Sequence, residues 1–219
     1  MADKSAKYIP ALRYGWLTSL YDPLLRLTLR EAEFKNHLIG TASLQPGQRV
    51  LDLGCGTGTL TLLIKQAQPN AKVVGIDGDE KILAIARQKA SQTGIDINLD
   101  YGLVHNLPYE ENSFDHVFSS LVFHHLSREN KLRAVSEVFR VLRPGGKFHL
   151  ADWGKATNPA MRSLFFLVQI LDGFSTTSDN VNGLLPSFLK QRGLEEVIVV
   201  RHYLTVFGTL CLYTGRKPE

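Results

Sequence analysis

The chain has 219 residues, 44% of them hydrophobic and 21% charged, with a formal net charge of +4. This is the composition of one sizeable globular domain and too apolar for a disordered chain, and a basic excess spread along the sequence excludes the clustered stripe of a nucleic-acid binder. Two cysteines, Cys55 and Cys211, make neither a disulfide framework nor a zinc site, no apolar run approaches the roughly 20 residues of a bilayer span, and the first residues lack an apolar signal core, so a cytoplasmic chain is expected.

Residues 1–45 read as helical. The stretch LTSLYDPLLRLTLREAEFKNHLIG carries apolar residues at helical spacing, and Tyr8, Tyr14, Trp16 and Tyr21 add an aromatic bias. Gln45-Pro46-Gly47 is a turn. Strands then alternate with helices. RVLDLG is a first strand and TLTLLIKQAQ a helix; KVVGID is a second strand. Residues 79–94 form an amphipathic helix with Asp79 as N-cap and Gly94 as C-terminal stop. INLDY and FDHVFSS are strands three and four. SRENKLRAVSEVFRVL is a helix whose Leu132, Val135, Val138, Phe139 and Leu142 share a face. Pro144-Gly145-Gly146 breaks it, and KFHLAD is a fifth strand. Two helical stretches follow, 159–173 and 182–193, with FSTTSDNVNG (174–183) expected as a mobile loop serving as part of a lid. EVIVVRHYLTV and GTLCLYTG, joined by a turn around Phe207-Gly208, pair as an antiparallel hairpin. Alternating strands and helices imply parallel βαβ units covered on both faces.

The first strand runs into Gly54-Cys55-Gly56-Thr57-Gly58, at the strand end where doubly wound sheets hold ligands. Glycine allows a tight turn and close approach of a ligand to the backbone. A phosphate loop needs GxxxxGK[ST], and no lysine follows here. A dinucleotide loop needs GxGxxG; Gly54 and Gly56 match, but Thr59 stands in the third place and Gly58 comes one residue early. S-adenosylmethionine has a carboxylate, an ammonium and a sulfonium, so an acid beside the loop is welcome. Asp52 meets that demand, directly or by holding the loop. Asp77 ends the second strand about 20 residues on, where a carboxylate accepts hydrogen bonds from ribose hydroxyls.

The motifs VLDLGCGTG (50–58), VVGIDGDE (73–80), NLPYEENSFDHVFSSLVFHHL (106–126) and EVFRVLRPGGKFHLAD (137–152) together resemble the class I S-adenosylmethionine-dependent methyltransferases, over residues 14–153. Within that class the chain is similar to the ubiquinone and menaquinone C-methyltransferase-like branch, whose Tyr-Asp pair is matched by Tyr21-Asp22. The resemblance implies a three-layer, doubly wound α/β fold: a mainly parallel seven-stranded sheet with a C-terminal antiparallel hairpin. It implies a domain over 46–219 with a helical insert at about 159–192, and residues 1–45 as a helical lid. Gly54, Gly56 and Gly58, with the small Cys55 between them, would line the methionine part of the cofactor. Asp77 would hold the ribose, Gly78 would lie beside the adenine, the Ser119 backbone would meet the ammonium, and Tyr21 would close over the whole. One place departs. Such enzymes often read GDAxxLPF after the third strand, with that Asp on the adenine amino group; here GLVHNLPY puts Leu103 there. The loss of one polar contact is worth roughly 0.5–1.5 kcal/mol, and a backbone contact from Val104, or His105, is the available substitute.

Transfer from a sulfonium methyl is an in-line displacement, so the protein supplies alignment and excludes water. A carbon or phenol acceptor must also lose a proton. His124, and after it His125, follow the fourth strand and are the base candidates. Asp152 and Trp153 end the fifth strand at the same edge, where Asp152 either binds a polar acceptor or caps. His149 reads as packed; His37, His116 and His202 have no partner pattern; Cys211 reads as core. Phe165, Phe166, Phe174 and Phe188 make the insert apolar, suiting a partly apolar small-molecule acceptor, and Arg13, Arg26 and Arg30 suit at most a peripheral membrane contact. Carbon or oxygen methylation is the first expectation, nitrogen of an amine or phospholipid headgroup the second. Metal and nucleic-acid partners are not expected: no Asn-Pro-Pro-aromatic tetrad for a flipped base follows strand four. The rivals are a non-catalytic S-adenosylmethionine-binding regulatory module, which Leu103 favours, and a nicotinamide oxidoreductase, which the glycine spacing disfavours.

Overall fold

A computed structural model describes residues 31–219. Seven strands form one sheet in the order β3-β2-β1-β4-β5-β7-β6. They are β1 (Arg49–Leu53), β2 (Lys72–Asp77), β3 (Asn98–Tyr101), β4 (Phe114–Ser120), β5 (Leu142–Trp153), β6 (Glu195–Thr205) and β7 (Gly208–Arg216). The first five pair in parallel, and β7 runs antiparallel to both β5 and β6, so the expected hairpin closes the sheet. The helices are α1 (Glu31–Gly40), α2 (Thr59–Ala67), α3 (Glu80–Thr93), α4 (Arg128–Val141), α5 (Pro159–Asp172), α6 (Phe174–Val181) and α7 (Leu185–Gln191). The expected caps on α3 are present: Asp79 accepts from Lys81 N and Ile82 N, and Gly94 is left-handed at φ 66. Such an N-cap stabilises by about 1 kcal/mol.

Strand alternation sorts the core into two layers. Leu51, Leu53, Val117, Phe148 and Leu150 face α4 and α7. Val50, Phe118, Ala151 and Trp153 face α1, α2 and α5. Both faces of the central strands are therefore buried, as a parallel sheet requires. On the α1 side His116 Nδ1 lies 3.1 Å from His149 Nε2, and His149 Nδ1 lies 2.6 Å from Thr41 Oγ1. This buried chain ties the end of α1 to β4 and β5; burial pushes His116 down to about 4 and His149 well below the usual imidazole value.

Three expectations change. Residues 174–183 are not a loop: 174–181 form α6, with Thr176, Thr177, Asp179, Asn180 and Val181 buried. A polar sequence folds as a buried helix here because its side chains find partners in distant elements. Pro144-Gly145-Gly146 ends α4 but lies inside β5, where Gly145 N bonds Lys217 O and Lys217 N bonds Gly146 O. The buried face of α4 includes Lys131, at 0% exposure, while Leu132 and Phe139 are only partly buried. Tyr21 and the arginines at 13, 26 and 30 lie outside the described residues. No described helix is long and apolar enough to cross a membrane.

Candidate functional site

The carboxyl ends of β1, β2, β4 and β5 lie side by side, with Leu53 in register with both Ile76 and Ser119, and Ser120 with Ala151. The glycine loop is sewn to β2: Gly54 N and Cys55 N both donate to Ile76 O at 2.8 and 2.9 Å. Each glycine has its own reason. Gly54 is left-handed, and a Cβ there would lie 2.5 Å from Val122; Gly58 is left-handed and presses on Ala86. Gly56 is also left-handed (φ 54), but a Cβ there would meet nothing within 4 Å. The open space a ligand needs is therefore at Gly56. Cys55 is buried, and burial raises its thiol well above the ordinary value, which removes it as a nucleophile.

Asp77 stands at the end of β2. Gly56 N donates to its Oδ2 at 2.9 Å and Asp79 N to its Oδ1 at 3.0 Å. The Gly78 backbone N–H also favours the charged carboxylate, and of its about four acceptor sites some capacity remains for a ligand hydroxyl. Desolvation raises its pKa from the usual carboxylate value. Asp52 lies beneath the loop at 1% exposure, accepting from Thr61 Oγ1 of α2 at 2.7 Å. Burial pushes it up to about 6 against the lowering by Thr61 and Lys35. Its geometry is that of a residue holding the start of the helix after the loop. Ser119 is fully buried, its hydroxyl donating to Leu53 O at 2.9 Å, and it stands one residue before the end of β4, in register with Leu53 and Leu150. Gly78 lies at the turn after β2.

Where the resemblance places the adenine contact, Leu103 bridges to Asn106 and Val104 is buried. Beside them His105 Nδ1 is buried without a hydrogen-bond partner. Desolvation lowers the His105 pKa, so the ring is neutral at pH 7 and one nitrogen accepts. An unpartnered ring nitrogen sits two residues beyond Leu103.

His124 and His125 occupy a 3-10 turn, Phe123–His125, directly after β4. His124 is 2% exposed, with Nδ1 2.9 Å from Asp152 Oδ1. A carboxylate oxygen only accepts, so Nδ1 carries the proton, and in the neutral tautomer the basic nitrogen is Nε2. The His125 ring lies 3.9 Å from that of His124, and burial holds its pKa well below the usual value. Asp152, at 0% exposure, accepts four hydrogen bonds. Oδ2 accepts from Phe123 N at 2.7 Å; Oδ1 accepts from His124, from Trp153 N at 2.8 Å and from Asn180 Nδ2 at 3.0 Å. These bonds hold the turn that carries His124, the geometry of the capping role.

Sequence reasoning missed the support for this turn. Asn180 of α6 reaches Asp152 and also Trp153 O at 3.1 Å. Asp179 accepts from Arg128 Nε at 2.9 Å and from the buried Lys131 Nζ at 3.4 Å, and Lys131 also donates to Thr176 O. Desolvation lowers the Lys131 pKa. The signal was a lysine on the apolar stripe of α4, in step with Ala134, Val135 and Val138.

A model of the methyltransferase domain family matches residues 50–146. An uncharacterized methyltransferase of Synechocystis sp. is 32% identical over 208 residues, covering 94% of this chain and 94% of that protein. The demethylmenaquinone methyltransferase of Thermus thermophilus is 29% identical over 214 residues, covering 90% of this chain and 96% of its own. Among solved structures, the YcgJ protein of Bacillus subtilis matches with a TM-score of 0.68 at 19% identity, over 84% of this chain and 98% of that one, which supports the fold.

Proposed function

Because the chain belongs to the class I S-adenosylmethionine-dependent methyltransferases, with S-adenosylmethionine as methyl donor to a small-molecule acceptor, we propose that the acceptor is partly apolar and is methylated on carbon or oxygen, with His124 as its base. The regulatory-module and nicotinamide readings are set aside by that membership. The donor supplies an already activated methyl. The work left to this chain is to hold the donor, align the acceptor, exclude water and take a proton.

Gly54, Gly56 and Gly58 hold the amino-acid end of the donor, with the approach at Gly56. Asp77 accepts from the ribose hydroxyls with its remaining lone pairs. Gly78 and the Val104 backbone flank the adenine, and His105 Nδ1 accepts from its amino group in place of the carboxylate that Leu103 lacks. Residues 159–192 supply the acceptor wall. His124 takes the acceptor's proton on Nε2, while Asp152 on Nδ1 fixes the tautomer and stabilises the charge that develops. The observation that carries this reading is the buried His124–Asp152 pair beside the loop-and-Asp77 constellation.

The test is calorimetric titration with S-adenosylmethionine, S-adenosylhomocysteine and NAD. Micromolar binding of the first two, lost in Asp77→Ala, is expected. Preference for NAD, or no adenosyl binding, would overturn the site. A His124→Gln variant that binds donor normally but keeps its turnover with a carbon or phenol acceptor would overturn the base role alone.

A further inference from the structure

Two buried amide side chains have an oxygen that accepts no hydrogen bond: Asn180 Oδ1, whose nitrogen shares Asp152 Oδ1 with His124, and Gln169 Oε1. Amide oxygen and nitrogen are easily interchanged, so the orientation must follow from the partners. For Asn180 it does. The groups beside its nitrogen are a carboxylate oxygen, Asp152 Oδ1, and a backbone carbonyl, Trp153 O; both only accept. For Gln169 the neighbour is Thr177 Oγ1 at 3.3 Å. Thr177 has one hydroxyl proton, donated to Gly173 O at 2.7 Å, so towards Gln169 it too accepts. In both residues the nitrogen is committed and the oxygen is left over. Buried polar atoms without partners are few in folded proteins, and each has a cause.

The two residues border one region. Thr177 and Asn180 are three apart on α6 and share a face. Gln169 lies one turn beyond Phe165 on α5. The Phe165 ring is 5.4 Å from that of Trp153, and Trp153 is 6.4 Å from His124, both edge-on. Trp153, Phe165, Val168 and Val181 make the surroundings apolar. Against these apolar side chains the two amide oxygens can accept a hydrogen bond and cannot donate one.

We propose that Asn180 Oδ1 and Gln169 Oε1 form the polar end of the acceptor subsite, and that the acceptor carries a hydrogen-bond donor, a hydroxyl or an amine N–H, which they bind beside His124. This rests on the methyl-transfer reading above and narrows it. An ether or ketone in the same place leaves two buried oxygens unpaired, and a site built to bond a hydroxyl rejects the analogue without one.

The test uses the full chain loaded with S-adenosylhomocysteine and titrated with 2-naphthol, 2-naphthylamine and 2-methoxynaphthalene. The hydroxyl or amine probe, whichever donor the site takes, binds about tenfold or more tightly than the ether, the factor one well-made hydrogen bond supplies. Gln169→Met, close in shape but without the oxygen, reduces that preference and melts no lower than wild type, because it removes an unpaired buried group. Equal affinity for the three probes, binding of none of them, or a Gln169→Met protein that melts several degrees lower overturns the subsite; the last means a structural partner for the oxygen. Failure of the wild type to bind S-adenosylhomocysteine strikes the methyl-transfer reading instead.

Discussion

Replacing Asp152 by Asn tests the hub of the site. Its carboxylate is fully buried and accepts four hydrogen bonds, three on Oδ1 and one on Oδ2. An amide placed to keep the three must turn its NH2 towards Phe123 N, and two donors then face each other. One charge-assisted bond is lost, worth about 1.5–3 kcal/mol, and two donors are left unsatisfied in the interior, at about 1–3 kcal/mol for each group. The expected destabilisation is at least about 3.5 kcal/mol, which for a chain of this size lowers Tm by at least roughly 7 °C. Because Phe123 begins the turn that carries His124, and because the charge opposite His124 Nδ1 disappears, kcat should fall by about 10²–10⁴. Urea denaturation of the S-adenosylhomocysteine complex, with single-turnover kinetics, measures both. A loss under about 1 kcal/mol would refute the four-bond hub, and an unchanged kcat would refute its orienting role.

Asp52 has a folded pKa raised by burial to about 6. Its contribution to stability is therefore present below about pH 4 and lost as pH rises through about 6, a difference of about 3 kcal/mol. Asp52→Asn should flatten the pH profile of urea unfolding between those values and be the more stable protein at pH 7.5; a profile that stays parallel to wild type contradicts this. His105→Phe should weaken S-adenosylhomocysteine binding about five- to tenfold by calorimetry, and Leu103→Asp should strengthen it, since each alters the acceptors offered to the adenine amino group. Gly56→Ala should fold with a loss of about 1 kcal/mol for its left-handed backbone, yet lose more than about tenfold in cofactor affinity, because its Cβ fills space the protein itself leaves open. Asp179→Asn should destabilise by about 3–5 kcal/mol, through the unneutralised buried Lys131, and Lys131→Met in the same chain should recover most of that in thermal melts.

Much of the fold was legible in local patterns. FDHVFSS is β4 residue for residue, Asp79 and Gly94 cap α3 as read, and adjacent strands without a helix between them pair as a hairpin. These features depend on side-chain period and on short-range backbone chemistry, which a single sequence displays. α6 was not legible because nothing within it explains its burial: the partners of Asp179 and Asn180 lie 51 and 28 residues away in sequence. Lys131 was passed over for the same reason, since a lysine on an apolar stripe makes sense only opposite a carboxylate 48 residues further on.

The candidate site divides in the same way. The sequence alone determined the parallel sheet, the bare loop at its edge, Asp77 at the next strand end and the histidines after β4, because each is a local signal at a spacing the strand-and-helix period enforces. Only the tertiary structure decided what those residues do to one another. It set Asp52 on Thr61, tied Asp152 to four donors that hold a turn, left His105 Nδ1 without a partner near Leu103, and left two buried amide oxygens without a hydrogen bond. Whether a polar atom is satisfied depends on what reaches it from every element packed around it, and that accounting exists only once the chain is folded.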